Sequence, residues 1–156
     1  MVRGVIGRSW GQGAQHSQSL HAWPVHIPGL KVVMPSTPAD AKGLMAAAIR
    51  DDGPVVFFED RMLYNLRDAV PDGDYVVPIG SADIKRPGRD VTIIATGRMV
   101  HVALAAAELL AKEEISAEVI DPRSLVPLDI DTLVASVKKT SRAVVVDGGY
   151  RQYGVT

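Results

Sequence analysis

The stretch "LKVVMPSTPADAKGLMAAAIRDDGPVVFFE", residues 30–59, decides the fold. Two apolar runs, "LKVVMP" and "PVVFFE", flank it, and both are continuous rather than alternating. Runs of that kind suit strands buried on both faces, as in parallel sheets. Between them Thr37 is a good N-cap, Pro38 fits the first helical position, and Asp40 sits where a capping box wants an acid. Leu44, Met45, Ala48 and Ile49 fall on one apolar face, and Gly53 with Pro54 stops the helix. The stretch therefore reads as strand, helix, strand, joined by a right-handed crossover.

Working outward, "VRGVIG" (residues 2–7) is a third strand of the same type. Residues 65–79, "NLRDAVPDGDYVVPI", lose helical periodicity and gain proline, glycine and charge, which marks a crossing between domains. The pattern then restarts. "ADIKRPGRDVTIIATG" reads as a short hairpin feeding a buried strand. "RMVHVALAAAELLAKEEI" is an amphipathic helix with Met99, Ala103, Ala106 and Leu110 on one face. "AEVIDPR" is a strand, and "LDIDTLVASVKKT" is a helix capped by Asp129 with Ile130, Leu133, Val134 and Val137 inward. "RAVVVDGG" is a last strand. The expected fold is α/β: two partial open parallel sheets with helices on both faces. The expected parts are residues 1–66, a linker at 67–79, and residues 80–156. Each half offers about three strands, below the usual four to six. Buried-type strands at both ends make the chain read as the middle of something larger. Open edges of that kind favour self-association.

The 156 residues are 47% apolar, normal for a globular core, and 17 basic against 18 acidic residues leave no broad footprint for nucleic acid or membrane. The chain has no cysteine, which removes disulfides, thiol nucleophiles and cysteine metal sites. No signal core, transit peptide or apolar span is legible, so the expectation is a cytoplasmic protein with no membrane partner.

Ligands of open parallel sheets gather at the carboxyl ends of strands. Here those ends are "GRSWGQGAQH", "PSTP", "EDRMLY", "TGRM", "DPRS" and "DGGYRQYG". The first lacks both the third glycine of a dinucleotide fingerprint and the ending of a P-loop. That argues against a generic nucleotide-binding domain. His16 should fall in the first turn of a helix, where the dipole favours the neutral ring. A neutral histidine can act as a base or hydrogen-bond partner, although the spacing alone favours a histidine bonding a loop carbonyl. His21 and His26 lack metal spacing and read as structural or surface groups, and His101 as solvated. Arg98, Arg123 and Arg151 suit an anion or, more simply, acids across an interface. Tyr150, Gln152 and Tyr153 suit a contact loop.

Three stretches together, "GAQHSQSLHAW", "HIPGLKVVMPSTPADAKGLMAAAIRDDGPVVFFE" and "VIDPRSLVPLDIDTLVASVKKTSRAVVVDGGYRQYG", closely resemble the beta subunit of thiamine diphosphate-dependent 2-oxo acid dehydrogenases. The resemblance covers nearly the whole chain and reaches the pyruvate, branched-chain and acetoin dehydrogenases within the transketolase group. It implies the second half of a pyrimidine-binding domain followed by the first half of a transketolase C-terminal domain. It implies a parent oxidoreductase that decarboxylates a 2-oxo acid on thiamine diphosphate and passes the acyl group to lipoyl-lysine. By resemblance His16 is catalytic, lining the channel and assisting that transfer. Ala48, Ile49, Asp51 and Gly53 match a segment that holds a structural potassium through main-chain carbonyls. Implied partners are an alpha subunit, which holds diphosphate and magnesium, a second beta subunit in a heterotetramer, and the lipoyl domain and core of the acyltransferase. The family's essential pyrimidine-contacting glutamate has no match here, and Glu59 belongs to a different motif. The isolated chain is thus expected to be inactive, and the alternative is a non-catalytic fragment that keeps only subunit contacts.

Overall fold

The computed structural model describes residues 1–7 and 11–156, and of His16 the backbone only. The first half supplies β1 (Val2–Ile6), β2 (Lys31–Val33) and β3 (Val55–Asp60), with β3 central and parallel to both neighbours. Helix α3 (Pro38–Arg50) makes the crossover. Thr37 caps it by accepting the Asp40 N–H at 3.1 Å, and Pro38 opens it, as the sequence indicates. Its Leu44 and Ala48 bury against Val33, Val55 and Phe57. Ile49, expected on that face, is 66% exposed, because the inward stripe follows Gly43, Leu44 and Ala48 instead.

The second half contributes β4 (Asp83–Arg86), β5 (Val91–Ala95), β6 (Ala117–Asp121) and β8 (Ala143–Val146), in the order β4-β6-β5-β8. Strands β6, β5 and β8 are parallel. β4 does not form a hairpin with β5; it pairs antiparallel with β6. The Pro87–Gly88 break carries the chain across the start of β6 rather than back on itself. A Cβ at Gly88 would lie 2.2 Å from the Ala117 backbone, so only glycine lets the chain pass. Helix α4 (Met99–Lys112) covers one face through Val100, Ala103 and Ala107, against Ile93, Ala95 and Val119. Helix α5 (Ile130–Thr140) touches β5 on the other face. It is capped by Asp129 as expected, but Ile130 and Val134 point outward, 54% and 43% exposed. The inward positions beside Leu133 are Ser136 and Thr140, whose hydroxyls both bond Thr92 Oγ1, at 2.6 and 2.7 Å.

A strand absent from the sequence reading ties the halves together. β7 (Ser124–Val126) leaves the second sheet's connection and pairs antiparallel with β2, giving the first sheet the order β1-β3-β2-β7. Each sheet is therefore three parallel strands plus an antiparallel edge. Residues 65–79 contain no strand or helix, yet Val77 and Ile79 pack on α3 and the Tyr75 hydroxyl donates to the Ala39 carbonyl at 2.8 Å. Exposed apolar edges remain on β1 and β8, with Val2 65% and Val144 and Val145 each 49% exposed.

Candidate functional site

Three apolar strands run into an aspartate: Asp60 ends β3, Asp121 ends β6 and Asp147 follows β8. All three lie at carboxyl ends, and the joined sheets bring these ends together in two buried clusters.

The first cluster surrounds Asp121, fully buried. Its carboxylate accepts the Ser36 hydroxyl at 2.5 Å and the Arg123 N–H at 2.9 Å. Burial pushes its pKa up to about 6, although Ser36, Arg123 and the nearby Lys85 ammonium all favour the charge. Beside it Asp40, at the start of α3, pairs with Lys85 at 2.6 Å and with Arg123 at 3.1 Å. Burial opposes the Asp40 charge, but Lys85, Thr37 and Arg123 outweigh it and hold the carboxyl below its usual range. Arg123 also donates to the Ser81 and Ala82 carbonyls, at 3.0 and 3.2 Å. His101 is not solvated: its Nε2 meets the Ser36 carbonyl at 2.7 Å. This cluster is a clasp between α3 and the second half.

The second cluster centres on His21, only 1% exposed. Its Nε2 lies 2.9 Å from Asp147 Oδ2, and Asp147 also accepts the Thr96 hydroxyl at 2.5 Å and the Gly149 N–H at 2.9 Å. Burial opposes the Asp147 charge, but His21 and Thr96 outweigh it and hold this carboxyl low. Asp60 goes the other way: burial raises its pKa, with the Met62 N–H, Arg98 and His21 offsetting only part. A cavity of about 10 Å³ lies among His21, Ser19, Asp60, Arg98 and Asp147.

His16 closes a one-turn helix, α1 (Gly13–His16), rather than opening a longer one. Its helix is followed by a second short one, α2 (Ala22–Val25), so the argument from a helix N-terminus does not apply. The His16 side chain, like residues 8–10 of the glycine-rich turn, lies outside the described residues. His26, Gln152 and Arg151 are exposed, and Tyr150 and Tyr153 are 46% and 89% exposed. Arg123 pairs with an acid across the two halves, as the simpler reading had it. Glu59 is engaged by Arg3 Nε at 2.5 Å and by the Tyr64 hydroxyl at 3.1 Å, which gives it a local structural role.

At the end of α3, Asp51 leaves the helix in an extended conformation, so the carbonyls of Ala48 and Ile49 have no helical partner. The Asp51 side chain is already held by Lys31 at 2.6 Å and the Gly53 N–H at 2.8 Å. Only backbone carbonyls of Ala48, Ile49, Asp51 and Gly53 are left for a cation, which fits the donor type of a main-chain potassium site. A diphosphate cofactor fits less well. The cleft of about 210 Å³ between Ser36, Thr37, Glu59 and Tyr64 is smaller than the roughly 300 Å³ from which small-molecule pockets begin. The cleft of about 570 Å³ beside β8 is walled mainly by Val25, Leu125, Leu128, Leu133 and Val145, with no lysine or arginine. Among the described residues no group of three histidines or acids could hold a metal.

The sequence missed His21, Asp60, Asp121 and Asp147 as site residues. The signal was present in "FFED", "EVID" and "VVVD": three apolar strands, each running into an acid at the end where ligands gather.

Residues 2–67 match the transketolase pyrimidine-binding domain, and residues 80–156 match the transketolase C-terminal domain. The beta subunit of the acetoin:2,6-dichlorophenolindophenol oxidoreductase of Cupriavidus necator is 54% identical over 94% of this chain and 44% of its own length. The mitochondrial pyruvate dehydrogenase E1 component subunit beta-1 of Oryza sativa is 52% identical over 99% of this chain and 42% of its own. A solved structure described as a split-gene transketolase, inactive beta4 tetramer, superposes with a TM-score of 0.83 at 28% identity, covering 98% of this chain and 49% of that one. The chain thus spans less than half the length of the relatives it matches. With two adjoining transketolase domains matched over nearly its whole length, it belongs to the transketolase family, and it is similar throughout to beta subunits of the acetoin and pyruvate dehydrogenase type.

Proposed function

We propose that the chain is the central portion of a cytoplasmic beta subunit whose parent enzyme decarboxylates a 2-oxo acid and transfers the acyl group to lipoyl-lysine. The observation that carries this reading is the identity of about half of all residues, over nearly the whole chain, with beta subunits of acetoin and pyruvate dehydrogenases. Thiamine diphosphate, with magnesium, supplies the electron sink for decarboxylation when bound. An alpha subunit would hold the diphosphate and magnesium, in a heterotetramer with two beta subunits, and among the described residues the cleft beside β8 carries no lysine or arginine for them. The chain's own contribution is the wall that carries His16. Reductive acylation of a dithiolane releases a thiolate, and His16 supplies its proton. Lipoyl domain and acyltransferase core dock from outside that wall. The carbonyls of Ala48, Ile49, Asp51 and Gly53 would hold a potassium ion where α3 leads into β3.

The test is His16→Ala in the full-length beta subunit assembled with its alpha subunit. Acylation of a free lipoyl domain should fall about 100-fold or more, the usual weight of one acid–base group. Decarboxylation measured with an artificial electron acceptor should be retained. Equal loss of both would contradict the role of His16.

A further inference from the structure

Resting on the acyl-transfer reading of His16, we propose that His21 is a positioning residue: its bond to Asp147 anchors residues 11–20 to the second half of the molecule and so sets where the turn carrying His16 stands. Helix α1 is a single turn, and Gly11 to Gln15 are exposed. One turn cannot hold itself in water, because nucleation costs more than so few hydrogen bonds return. The bonds of this segment are local. The Ser17 N–H donates to the Gly13 carbonyl at 3.2 Å, the Gln12 N–H to Ser17 Oγ at 2.5 Å, and the Gln18 amide to the Ala14 carbonyl at 3.2 Å. These bonds shape the turn, and none of them reaches either sheet.

The anchor comes shortly after His16. His21 immediately precedes α2, and its side chain is buried. Its Nε2 lies 2.9 Å from Asp147 Oδ2. A carboxylate accepts, so the ring donates through Nε2. Nδ1 has no hydrogen-bond partner among the described residues, so the bond to Asp147 is the polar tie that holds the ring. Asp147 is itself fixed, accepting the Thr96 hydroxyl at 2.5 Å and the Gly149 N–H at 2.9 Å. Thr96 follows β5 and Asp147 follows β8, which are paired parallel strands of the second sheet. The tie therefore fastens a segment of the first half to a rigid pair of strands in the second, 126 residues away in sequence.

The seat is shaped for this ring. A Cβ on Gly149 would lie 3.0 Å from His21 Cε1, 3.1 Å from its Nε2 and 2.5 Å from Asp147 Oδ2, so glycine there is what lets the imidazole reach the carboxylate. Phe58 of β3 meets the imidazole edge-on, with centroids 6.4 Å apart. The ring is thus wedged between β3 of the first sheet and the end of β8 in the second. A side chain locked in that way fixes its own backbone and the short segment before it. Misplacing a reacting group by about 1 Å can cost about 100-fold in rate, so a fixed backbone matters to the group it carries.

The test uses the full-length beta subunit assembled with its alpha subunit, in two variants. His21→Leu fills the seat without a donor. His21→Gln restores one, because its amide nitrogen can take the place of Nε2. Hydrogen exchange at residues 11–20 should quicken about tenfold in His21→Leu, the weight of one hydrogen bond to a charged group, while α3 stays unchanged. In His21→Gln it should return. The kcat for acylating a free lipoyl domain should fall at least about tenfold more than decarboxylation with an artificial electron acceptor, at an unchanged KM for the lipoyl domain, and recover in His21→Gln. Unchanged exchange at residues 11–20, equal losses of the two activities, or no recovery with glutamine would overturn the positioning role. Exchange needs no activity, so the two readings fail separately. If His16→Ala leaves acylation intact, the acyl-transfer reading fails, and faster exchange in His21→Leu still shows the anchor.

Discussion

Replacing Asp121 with asparagine should stabilise the protein above pH 7. Asp121 is fully buried and its pKa is raised from 3.8 to about 6, chiefly by burial. A rise of about two pKa units, at about 1.4 kcal/mol each, means that folding with the charged carboxylate costs about 3 kcal/mol relative to the protonated form. The sign follows from linkage. The folded state holds this proton more tightly than the unfolded chain, so the stability it contributes is full below pH 3.8 and is lost as pH rises through about 6. Asparagine mimics the protonated acid: its amide oxygen accepts the Arg123 N–H, and its amide nitrogen donates to Ser36 Oγ once that hydroxyl turns. The expected gain at pH 8 is about 2–3 kcal/mol, or several degrees in melting temperature at about 2–4 °C per kcal/mol. At pH 4 the gain should nearly vanish. The assay is urea unfolding of both proteins from pH 4 to 8, and the difference between them isolates Asp121 from Asp40, Asp147 and Glu118. Their lowered pKa values act in the opposite direction, adding stability that is lost on acidification. A variant less stable than the original at pH 8, or a difference that stays constant across the range, would refute the reasoning.

Other outcomes follow from the same contacts. Asp40→Ala leaves Lys85 and Arg123 without their buried partner and should cost about 3–5 kcal/mol by chemical denaturation; a loss under 1 kcal/mol would show that the clasp contributes little. Leu44→Ala empties a fully buried position under the first sheet and should cost about 2–5 kcal/mol in the same measurement. Gly149→Ala forces a methyl against Asp147 and His21 and should cost about 1–3 kcal/mol, with loss of the His21 Nε2 proton signal at low temperature.

Local signals carried most of the architecture. Thr37-Pro38-Ala39-Asp40 announces α3 because capping is settled within one turn of chain. "VVFFED" announces β3 because a strand buried on both faces needs an unbroken apolar run. What was not legible depended on partners far away. β7 is three residues long and exists because Val32 and Val33 offer an unpaired edge about ninety residues upstream. β4 reads as half of a hairpin until Gly88 is seen against the backbone of Ala117 and Glu118. Ser136 and Thr140 look like the outer face of α5 because periodicity counts apolar side chains, and here hydroxyls bond inward to Thr92. His21 and Asp147 have no local pattern at all; the sheets make them neighbours. His16 was singled out by resemblance alone, whereas the physical argument from a helix start fails against a one-turn helix that ends at that residue.

The central proposal is that this chain contributes one wall of a thiamine diphosphate site completed by an alpha subunit. Isothermal titration of thiamine diphosphate with magnesium tests it directly, first into the chain alone and then into the chain mixed with its alpha subunit. The account predicts no binding heat from the chain alone and saturable heat from the mixture. Tight binding to the chain alone, or none in the mixture, would contradict it.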